Sequence, residues 1–421
     1  MQILPTRCHL RQKVRLPISR LIGYTCLNIL FSLITLHGAH AESACGNGNV
    51  NINWQFEAGA IGGCEFVSEQ AVVLHLVPEN IPINSSPWYA FDVSAKQTQA
   101  LQVTLSVGER KPRYLPKVRM AGAQWQTLPY EINANTLRFN LLVTEQVQTI
   151  AGQELLVSDH YQQWLEKYKE NPQITVEEIG QSSEQRAIFA LQHQPASSAK
   201  EWLIVLGRQH PPEVTGAMAL FAFVDQLLEQ TAQNQRFLQR FNVLAIPLLN
   251  PDGVSKGNWR HNANGIDLNR DWKAFSQVET QAVKRRFDEI TKAGGNIVYA
   301  VDFHSTWHDV FYTMPSDHGA QPAHFTEAWL DTLAKQISAQ QIEFKVVQKP
   351  GTNQDNGVFK QFIADTYGVH AITYEMGDNT DRQVIKQVAE LAADILVGQM
   401  LATEATAFSS VSTNDKSAPT Q

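Results

Sequence analysis

The chain has 421 residues, of which 43% are hydrophobic and 18% charged, and its formal net charge is −7. This length exceeds what one ordinary core organises, so it predicts two domains, and the composition is typical of a globular protein. The excess of acidic residues argues against a nucleic-acid partner or attraction to an anionic membrane surface, because both need a basic surface.

The first 41 residues have the pattern of a secretory signal peptide. A basic leader precedes a mostly apolar segment at 21–36, and the letters AHA at 39–41 form a small-residue cleavage site. An uncleaved membrane anchor is the alternative, but the apolar segment is short for a span and contains Asn28. Cleavage leaves 29 basic against 41 acidic residues. We expect a periplasmic or secreted protein without stable membrane insertion after cleavage.

Two of the four cysteines, Cys45 and Cys64, follow the predicted cleavage site. An even pair in an exported chain favours one disulfide. Two separate buried thiols and a lipid-anchored Cys45 are the alternatives. Glu42 stands at the third position before Cys45, where a lipid-anchoring site would need an apolar residue.

The sequence pattern of residues 42–152 predicts a small antiparallel β-sandwich domain. Short runs rich in branched and aromatic residues alternate with clusters of Pro, Gly, Asn and Ser, as in sandwiches. The runs are AVVLHLV, WYAFDVS, ALQVTLSV and TLRFNLLV. No charged cluster with catalytic spacing occurs in this part of the sequence.

Residues 153–402 predict an α/β domain with a mixed sheet, because strand patterns alternate with helix patterns. The helix SDHYQQWLEKYKENP opens the domain, and the strands ITVEEIG and AIFALQH follow. The later strands are WLIVLG, FNVLAIPLLN, IVYAVDFHS, EFKVVQK and HAITYEMG, and the later helices span 213–230, 277–292, 322–339, 359–367 and 383–402. The Ser/Thr/Ala-rich tail at 403–421 predicts disorder.

Four stretches place polar or metal-ligating residues at predicted strand ends, where sites of α/β sheets lie. His210 and Glu213 follow one strand, His304 ends another, and Glu375 lies on a third. The fourth stretch is a long loop at 250–272, rich in asparagine and arginine, and such long loops are often functional. Taken singly, each stretch has an ordinary explanation, such as a histidine that forms its usual hydrogen bonds or a carboxylate that stabilises a helix N-terminus.

In order and spacing, these motifs resemble those of the zinc metallocarboxypeptidases, the family of pancreatic carboxypeptidase A. The family pattern is HxxE, an arginine and an Asn-Arg pair in a loop, a strand-end histidine and a late glutamate. The matching residues are His210, Glu213, Arg260, Asn269, Arg270, His304 and Glu375. The resemblance covers residues 155–402, and FEAGAIGGCEFVS with WYAFDVSA resembles the N-terminal β domain of the cytosolic-carboxypeptidase, or deglutamylase-like, branch.

The resemblance implies a catalytic zinc site. His210, Glu213 and His304 would hold one zinc ion and leave a coordination position open. Glu375 would act as the general base, and Arg260 would stabilise the tetrahedral oxyanion.

The resemblance also implies how the substrate is held. Asn269 and Arg270 would bind its terminal carboxylate, and Asp267 would orient a zinc-binding imidazole. Digestive relatives carry a mobile tyrosine before the glutamate base, but the corresponding stretch here, KPGTNQDNGVFKQF, has none. Lys360 in this stretch would favour an acidic substrate side chain; a solvent-facing helix lysine is the alternative.

These inferences predict an exported zinc carboxypeptidase that removes C-terminal residues, acidic ones if Lys360 faces the substrate, from peptides or proteins. An alternative is a zinc amidase or carboxypeptidase acting on cell-wall stem peptides, which the missing tyrosine and the compartment favour. A non-catalytic binding protein is a third interpretation. The complete metal set and Glu375 argue against it.

Overall fold

The structure, a computed structural model, describes residues 44–194 and 200–408. The predicted signal peptide lies outside these ranges, as does most of the predicted tail. All the elements below belong to one unit, Glu42–Gln421. None of the helices in the described ranges is long and apolar enough to cross a membrane.

Residues 44–152, called the β domain below, build two sheets around one shared core. Every second side chain of Thr136–Val143 is buried, as a strand with one face on a core requires. The strands are β1 (Ala44–Gly46), β2 (Val50–Asn53), β3 (Gly63–Ser68), β4 (Ala71–His75), β5 (Ala90–Ala95), β6 (Gln99–Ser106), β7 (Lys117–Met120), β8 (Gln126–Thr127), β9 (Tyr130–Asn133), β10 (Thr136–Val143) and β11 (Gln148–Ala151).

The two sheets have the strand orders β1-β2-β5-β11-β7-β8 and β3-β4-β6-β10-β9. Their pairs are antiparallel except β4 with β6, which run parallel, so the predicted antiparallel sandwich is mixed at that pair. Cys45 in β1 and Cys64 in β3 form a disulfide with their Cα atoms 6.4 Å apart. The bond joins an edge strand of one sheet to an edge strand of the other.

The α/β part, called the catalytic domain below, contains one eight-stranded mixed sheet. Its strands are β12 (Ile174–Gln181), β13 (Ala187–His193), β14 (Glu201–Gly207), β15 (Phe241–Ile246), β16 (Asn296–Thr306), β17 (Val310–Thr313), β18 (Gln348–Pro350) and β19 (Ala371–Gly377). Its helices are α1 (Ser158–Glu166), α2 (Val214–Leu227), α3 (Ala232–Arg240), α4 (Pro251–Lys256), α5 (Val278–Lys292), α6 (Phe325–Ala339), α7 (Phe359–Tyr367) and α8 (Arg382–Ala402).

The sheet order is β12-β13-β15-β14-β16-β19-β17-β18, and its central strands β15, β14, β16 and β19 run parallel. Two separate apolar cores cover its faces: α2, α6 and α8 pack in one, and α5 and α7 in the other. Because both faces are covered, β14 is buried along almost its whole length. The carboxyl ends of β14, β16 and β19 therefore lie side by side.

Three predicted segments differ from the structure. Of the predicted strand EFKVVQK, only Gln348 and Lys349 lie in β18, because β18 is an edge strand and its partner β17 has four residues. The predicted loop at 250–272 contains α4, which is capped by the Asn250 side chain and ends at left-handed Gly257. The predicted disordered tail is wrong for its first residues, because Phe408 is buried against rings of the catalytic core.

In the catalytic domain, α3 and β17 were also not anticipated from the sequence. The α3 sequence AQNQRFLQR is mostly polar and buries only Asn234, Phe237 and Leu238, so it has a weak apolar pattern. The β17 sequence VFYT is too short to show a period, and its pairing with β19 decides its conformation.

Candidate active site

The three predicted metal ligands meet at the carboxyl ends of β14 and β16. His210 follows β14, Glu213 is the N-cap of α2, and His304 lies near the end of β16. The two imidazole Nδ1 atoms are 3.2 Å apart, and each lies 2.7 Å from a different oxygen of Glu213. Gly216 permits this approach, because a Cβ there would lie 2.4 Å from the carbonyl oxygen of His304.

Each histidine is oriented by a carboxylate on its far side. Nε2 of His210 lies 2.9 Å from Asp267 Oδ1, and Nε2 of His304 lies 2.8 Å from Asp302 Oδ2. When Nε2 donates to a carboxylate, Nδ1 of the neutral ring presents a lone pair. Two such nitrogens and a carboxylate then converge with no proton between them, an arrangement that a cation stabilises.

The distances and the chemistry of this donor set fit zinc. With zinc–nitrogen bonds near 2.0–2.1 Å, tetrahedral ligand atoms stand about 3.3 Å apart, close to the observed 3.2 Å between the Nδ1 atoms. Burial lowers the pKa of His304, but the Asp302 and Glu213 carboxylates outweigh burial and raise it. The site therefore favours positive charge, and two histidines with one glutamate are the donor set of a catalytic zinc.

Glu375 lies on β19 directly opposite His304 of β16. Its Oε2 is buried and has no hydrogen-bond partner within the described residues. Burial and then the nearby charge of Glu213 raise the pKa of Glu375 to about 7. A carboxyl group in this state is suited to accept and return a proton near neutral pH.

Arg260 and Asp267 are joined at the rim of the metal site. Arg260 Nε donates to Asp267 Oδ2 at 2.6 Å, while Asp267 Oδ1 accepts from the backbone of Asn269 and faces His210. Burial alone would raise the pKa of Asp267, but His210 and the arginine charges lower it. The carboxylate therefore stays ionised between the arginine and the metal ligand.

Asn269 and Arg270 lie on a 3-10 turn that presents both side chains to the same cleft. Asn269 Oδ1 accepts from the backbone of Phe359 at 2.9 Å, and its amino group lies 3.4 Å from Nε2 of His304. Arg270 Nη1 donates to the Asn269 carbonyl, and the guanidinium forms no ion pair with any described residue. Burial lowers the pKa of Arg270.

Lys360 is the second residue of α7 and is 2% exposed, so the interpretation as a solvent-facing lysine is wrong. Its Nζ donates to the carbonyl oxygens of Thr313 at 3.0 Å and Gly351 at 2.5 Å. No carboxylate among the described residues pairs with it, and burial lowers its pKa to about 8.

These residues line one cleft of about 670 Å³. Both domains contribute to its wall, and its basic lining residues are Arg110, Lys111, Arg113, Arg260, Arg270 and Lys360. The acidic lining residues are Glu213 and Glu375, which belong to the metal centre. A second cavity, of about 690 Å³ and lined by Trp54 and Phe56 among others, contains no metal-ligand set, so the chemistry belongs to the first.

Comparison with known proteins agrees with this geometry. Residues 161–395, more than half of the chain, match the zinc carboxypeptidase family Peptidase_M14.

The chain belongs to that family.

Curated relatives include cytosolic carboxypeptidases. Mouse cytosolic carboxypeptidase 6 is 25% identical over 251 residues, which are 53% of this chain and 46% of that protein. Cytosolic carboxypeptidase 2 of Xenopus tropicalis is 37% identical over 76 residues, 18% of this chain and 8% of that protein. The matches therefore span less than half the length of these relatives.

Solved structures share the fold. A metallo-carboxypeptidase from Burkholderia cenocepacia superposes with a TM-score of 0.69 at 19% identity, covering 84% of this chain and 98% of that one. A metallo-carboxypeptidase from Pseudomonas aeruginosa, solved with (2-guanidinoethylmercapto)succinic acid, gives 0.67 at 20% identity, covering 83% and 98%. The shared part exceeds the catalytic domain alone, so the likeness in fold extends into the β domain.

In this member of the zinc carboxypeptidase family, the cleft contains residues that the sequence reasoning missed, among them Arg113 and Tyr312. Arg113 of the β domain donates to both oxygens of Asp378, at 2.7 and 3.0 Å, and to the Ser305 carbonyl beside the metal ligand His304. Tyr312 of β17 also lines the cleft. It precedes the segment KPGTNQDNGVFKQF, in which digestive relatives have their tyrosine. No local motif marks either residue, because the distant segments meet only in the fold.

Proposed function

We propose that this zinc carboxypeptidase is exported and removes acidic C-terminal residues from peptides or proteins. The observation that carries the acidic preference is Lys360, a buried cation in the cleft without a carboxylate partner among the described residues. A buried charge is costly without a partner, and a positive charge near a helix N-terminus adds to that cost. An acidic substrate side chain supplies the missing partner.

Export is supported by two features. The leader has the basic, apolar and small-residue segments of a secretory signal. The disulfide between Cys45 and Cys64 is of a kind that persists in oxidising compartments. Together they favour a periplasmic or secreted enzyme.

The Asn269 and Arg270 pair gives the proposed enzyme its exopeptidase character. Arg270 has no ion pair with any described residue, and its planar guanidinium suits bidentate binding of a carboxylate. Asn269 lines the same cleft and has an amino group that can donate to the second carboxylate oxygen. Bound in this way, the terminal carboxylate sets the distance from the peptide end to Glu375.

The remaining residues act on the scissile bond. A zinc ion held by His210, Glu213 and His304 supplies Lewis-acid chemistry, which polarises the carbonyl and acidifies water. Glu375 accepts the proton of the attacking water and returns it to the leaving amine as the carbon–nitrogen bond breaks. Arg260 donates to the carbonyl oxygen as negative charge develops there.

Amidation of the substrate C-terminus tests this function. In the wild type, amidation should lower kcat/KM by a factor that corresponds to about 2–4 kcal/mol, because Arg270 loses its anionic partner. Arg270→Ala should cause a comparable loss on the free carboxylate and little further loss on the amide, since both changes remove one contact. Arg138→Ala, which changes an exposed β-domain arginine, is the matched control.

The outcomes separate the alternatives. If amidation reduces kcat/KM of Arg270→Ala by the same factor as in the wild type, Arg270 does not bind the terminal carboxylate. Undiminished cleavage of the amidated peptide would reject the carboxypeptidase assignment, and cleavage of cell-wall stem peptides by the same preparation would identify an amidase. Absence of hydrolysis from a zinc-loaded, folded protein would favour a binding protein.

A further inference from the structure

We infer that Glu79 of the β domain is a positioning residue for hydrolysis, because its carboxylate fixes the backbone at 259–261 and with it the Arg260 guanidinium. The inference rests on the oxyanion role proposed above for Arg260. It assigns the β domain a part in the reaction itself, although that domain carries no metal ligand and no catalytic motif.

The Glu79 carboxylate receives hydrogen bonds from three consecutive backbone amides of the catalytic domain. Oε2 accepts from Trp259 N at 2.7 Å, and Oε1 accepts from Arg260 N at 2.9 Å and His261 N at 2.7 Å. His261 Nδ1 lies 2.9 Å from the same Oε1. Four contacts thus join both oxygens of this one carboxylate to one short segment of the catalytic domain.

The carboxylate is held in a protected, ionised state. Glu79 lies on a surface segment, but its side chain is 15% exposed. Burial alone would raise its pKa, but the hydrogen bonds from His261 and the backbone amides outweigh burial and lower it. Hydrogen bonds to a charged acceptor are stronger than neutral ones, so the segment is held firmly.

Further contacts between the domains hold the rest of this loop. The Trp259 side chain is 2% exposed and belongs to the apolar core of the β domain. Asn80 Nδ2 donates to the Gly265 carbonyl at 2.7 Å, and Ala58 N donates to the Ser255 carbonyl at 2.9 Å. The loop is thus fixed before, at and after Arg260 by residues of the β domain.

The position of Arg260 matters because Arg260 is linked to the metal centre. Its Nε donates to Asp267 Oδ2, and the other oxygen of Asp267 faces Nε2 of His210. Misplacement of a catalytic group by about 1 Å can cost about 10²-fold in rate. Glu79 does not line the cleft, so it can influence the reaction only through the segment that it holds.

The test substitutes Glu79→Gln in the full-length, zinc-loaded protein. Glutamine keeps the shape but turns one acceptor oxygen into an amino group, which opposes the backbone N–H groups. We expect kcat to fall by about 10–100-fold, with zinc content unchanged and KM within about twofold. Affinity for a phosphonate mimic of the tetrahedral state should fall by the same factor as kcat/KM.

Glu57→Gln is the matched control. Glu57 is another β-domain carboxylate that accepts hydrogen bonds from the catalytic domain, from Ser158 N at 3.0 Å and Ser158 Oγ at 2.5 Å. It contacts no part of the Arg260 segment. If domain contact alone mattered, Glu57→Gln would reduce kcat as Glu79→Gln does, and this result would overturn the inference.

A double-mutant cycle separates positioning from loss of folded enzyme. In an Arg260→Ala background, Glu79→Gln should cost less than about twofold further, because its effect passes through Arg260. Multiplicative losses would overturn the inference. If Glu79→Gln does not fold, Glu79→Asp serves in the same cycle, since it keeps the charge and withdraws the carboxylate by one methylene.

The cycle also distinguishes this inference from the function on which it rests. Undiminished activity of Arg260→Ala would refute the oxyanion role and the inference together. A large loss in Arg260→Ala with no effect of Glu79→Gln would refute only the positioning role of Glu79.

Discussion

Replacing Lys360 by methionine should abolish the preference for an acidic C-terminal residue. Methionine keeps an unbranched apolar stem of similar size and removes the charge. Nζ of Lys360 has three protons, and the carbonyls of Thr313 and Gly351 take two of them. The third proton points toward Met314 Sδ, which is a weak acceptor, so a substrate carboxylate can replace the sulfur as its partner.

The magnitude follows from this single donor. One hydrogen bond between charged groups is worth about 1.5–3 kcal/mol. Since 1.4 kcal/mol is tenfold, this corresponds to about 10–150-fold. Lys360 is 2% exposed, so solvent screening reduces the value little.

The assay compares two peptides that differ only in ending with Glu or Gln. The ratio of their kcat/KM values should be about 10–150 in the wild type and near unity in Lys360→Met. Steps common to both peptides cancel in this ratio, which isolates the side-chain contact. Lys273→Met is the control, because Lys273 is 66% exposed and pairs with the exposed Asp355.

The same ratio should depend on pH. Burial lowers the pKa of Lys360 to about 8, so the lysine is charged below that pH and neutral above it. The Glu-to-Gln ratio should therefore be high below pH 8, fall as the pH rises through 8, and stay flat in Lys360→Met. A wild-type ratio near unity, or an unchanged ratio in Lys360→Met, would refute the assigned contact.

Three further predictions concern the metal, the base and the disulfide. His210→Ala and His304→Ala should each lose bound zinc and activity while circular dichroism stays native, and full zinc occupancy by metal analysis would reject the ligand set. Glu375→Gln should lower kcat by about 10²–10⁴-fold with zinc retained, whereas near-normal kcat would exclude Glu375 as the base. The disulfide between Cys45 and Cys64 closes a loop with a sequence separation of 19. Replacing both cysteines by serine should therefore lower the free energy of unfolding, measured in urea, by about 3 kcal/mol. Two freely alkylated thiols in the native exported protein would contradict the disulfide.

Features encoded over short stretches were readable from the sequence. The periodicities of TLRFNLLV and WLIVLG predicted strands that the structure contains as β10 and β14, because burial on one or both faces imposes a local pattern. The helix over 359–367 agrees residue for residue. EFKVVQK failed because its apolar pattern cannot show whether a neighbouring strand is there to pair with it.

The metal set was predicted as a list of residues rather than a geometry. His210, Glu213, His304 and Glu375 were assigned their roles through the resemblance to the zinc metallocarboxypeptidases. The structure adds the 3.2 Å separation of the Nδ1 atoms and the carboxylates behind both rings. These depend on the parallel pairing of β14 with β16, which brings residues 94 positions apart into contact.

The sequence by itself indicated the fold class through local periodicity, and its resemblance to the zinc metallocarboxypeptidases supplied the metal ligands and the order of the catalytic groups. Only the tertiary structure decided that Lys360 is buried without an acidic partner among the described residues, and that Glu79 and Arg113 of the β domain hold the catalytic cleft. Such contacts join residues as far as 265 positions apart. Hydrogen bonds between distant segments leave no periodic trace in either segment, so they become visible only when packing brings the two together.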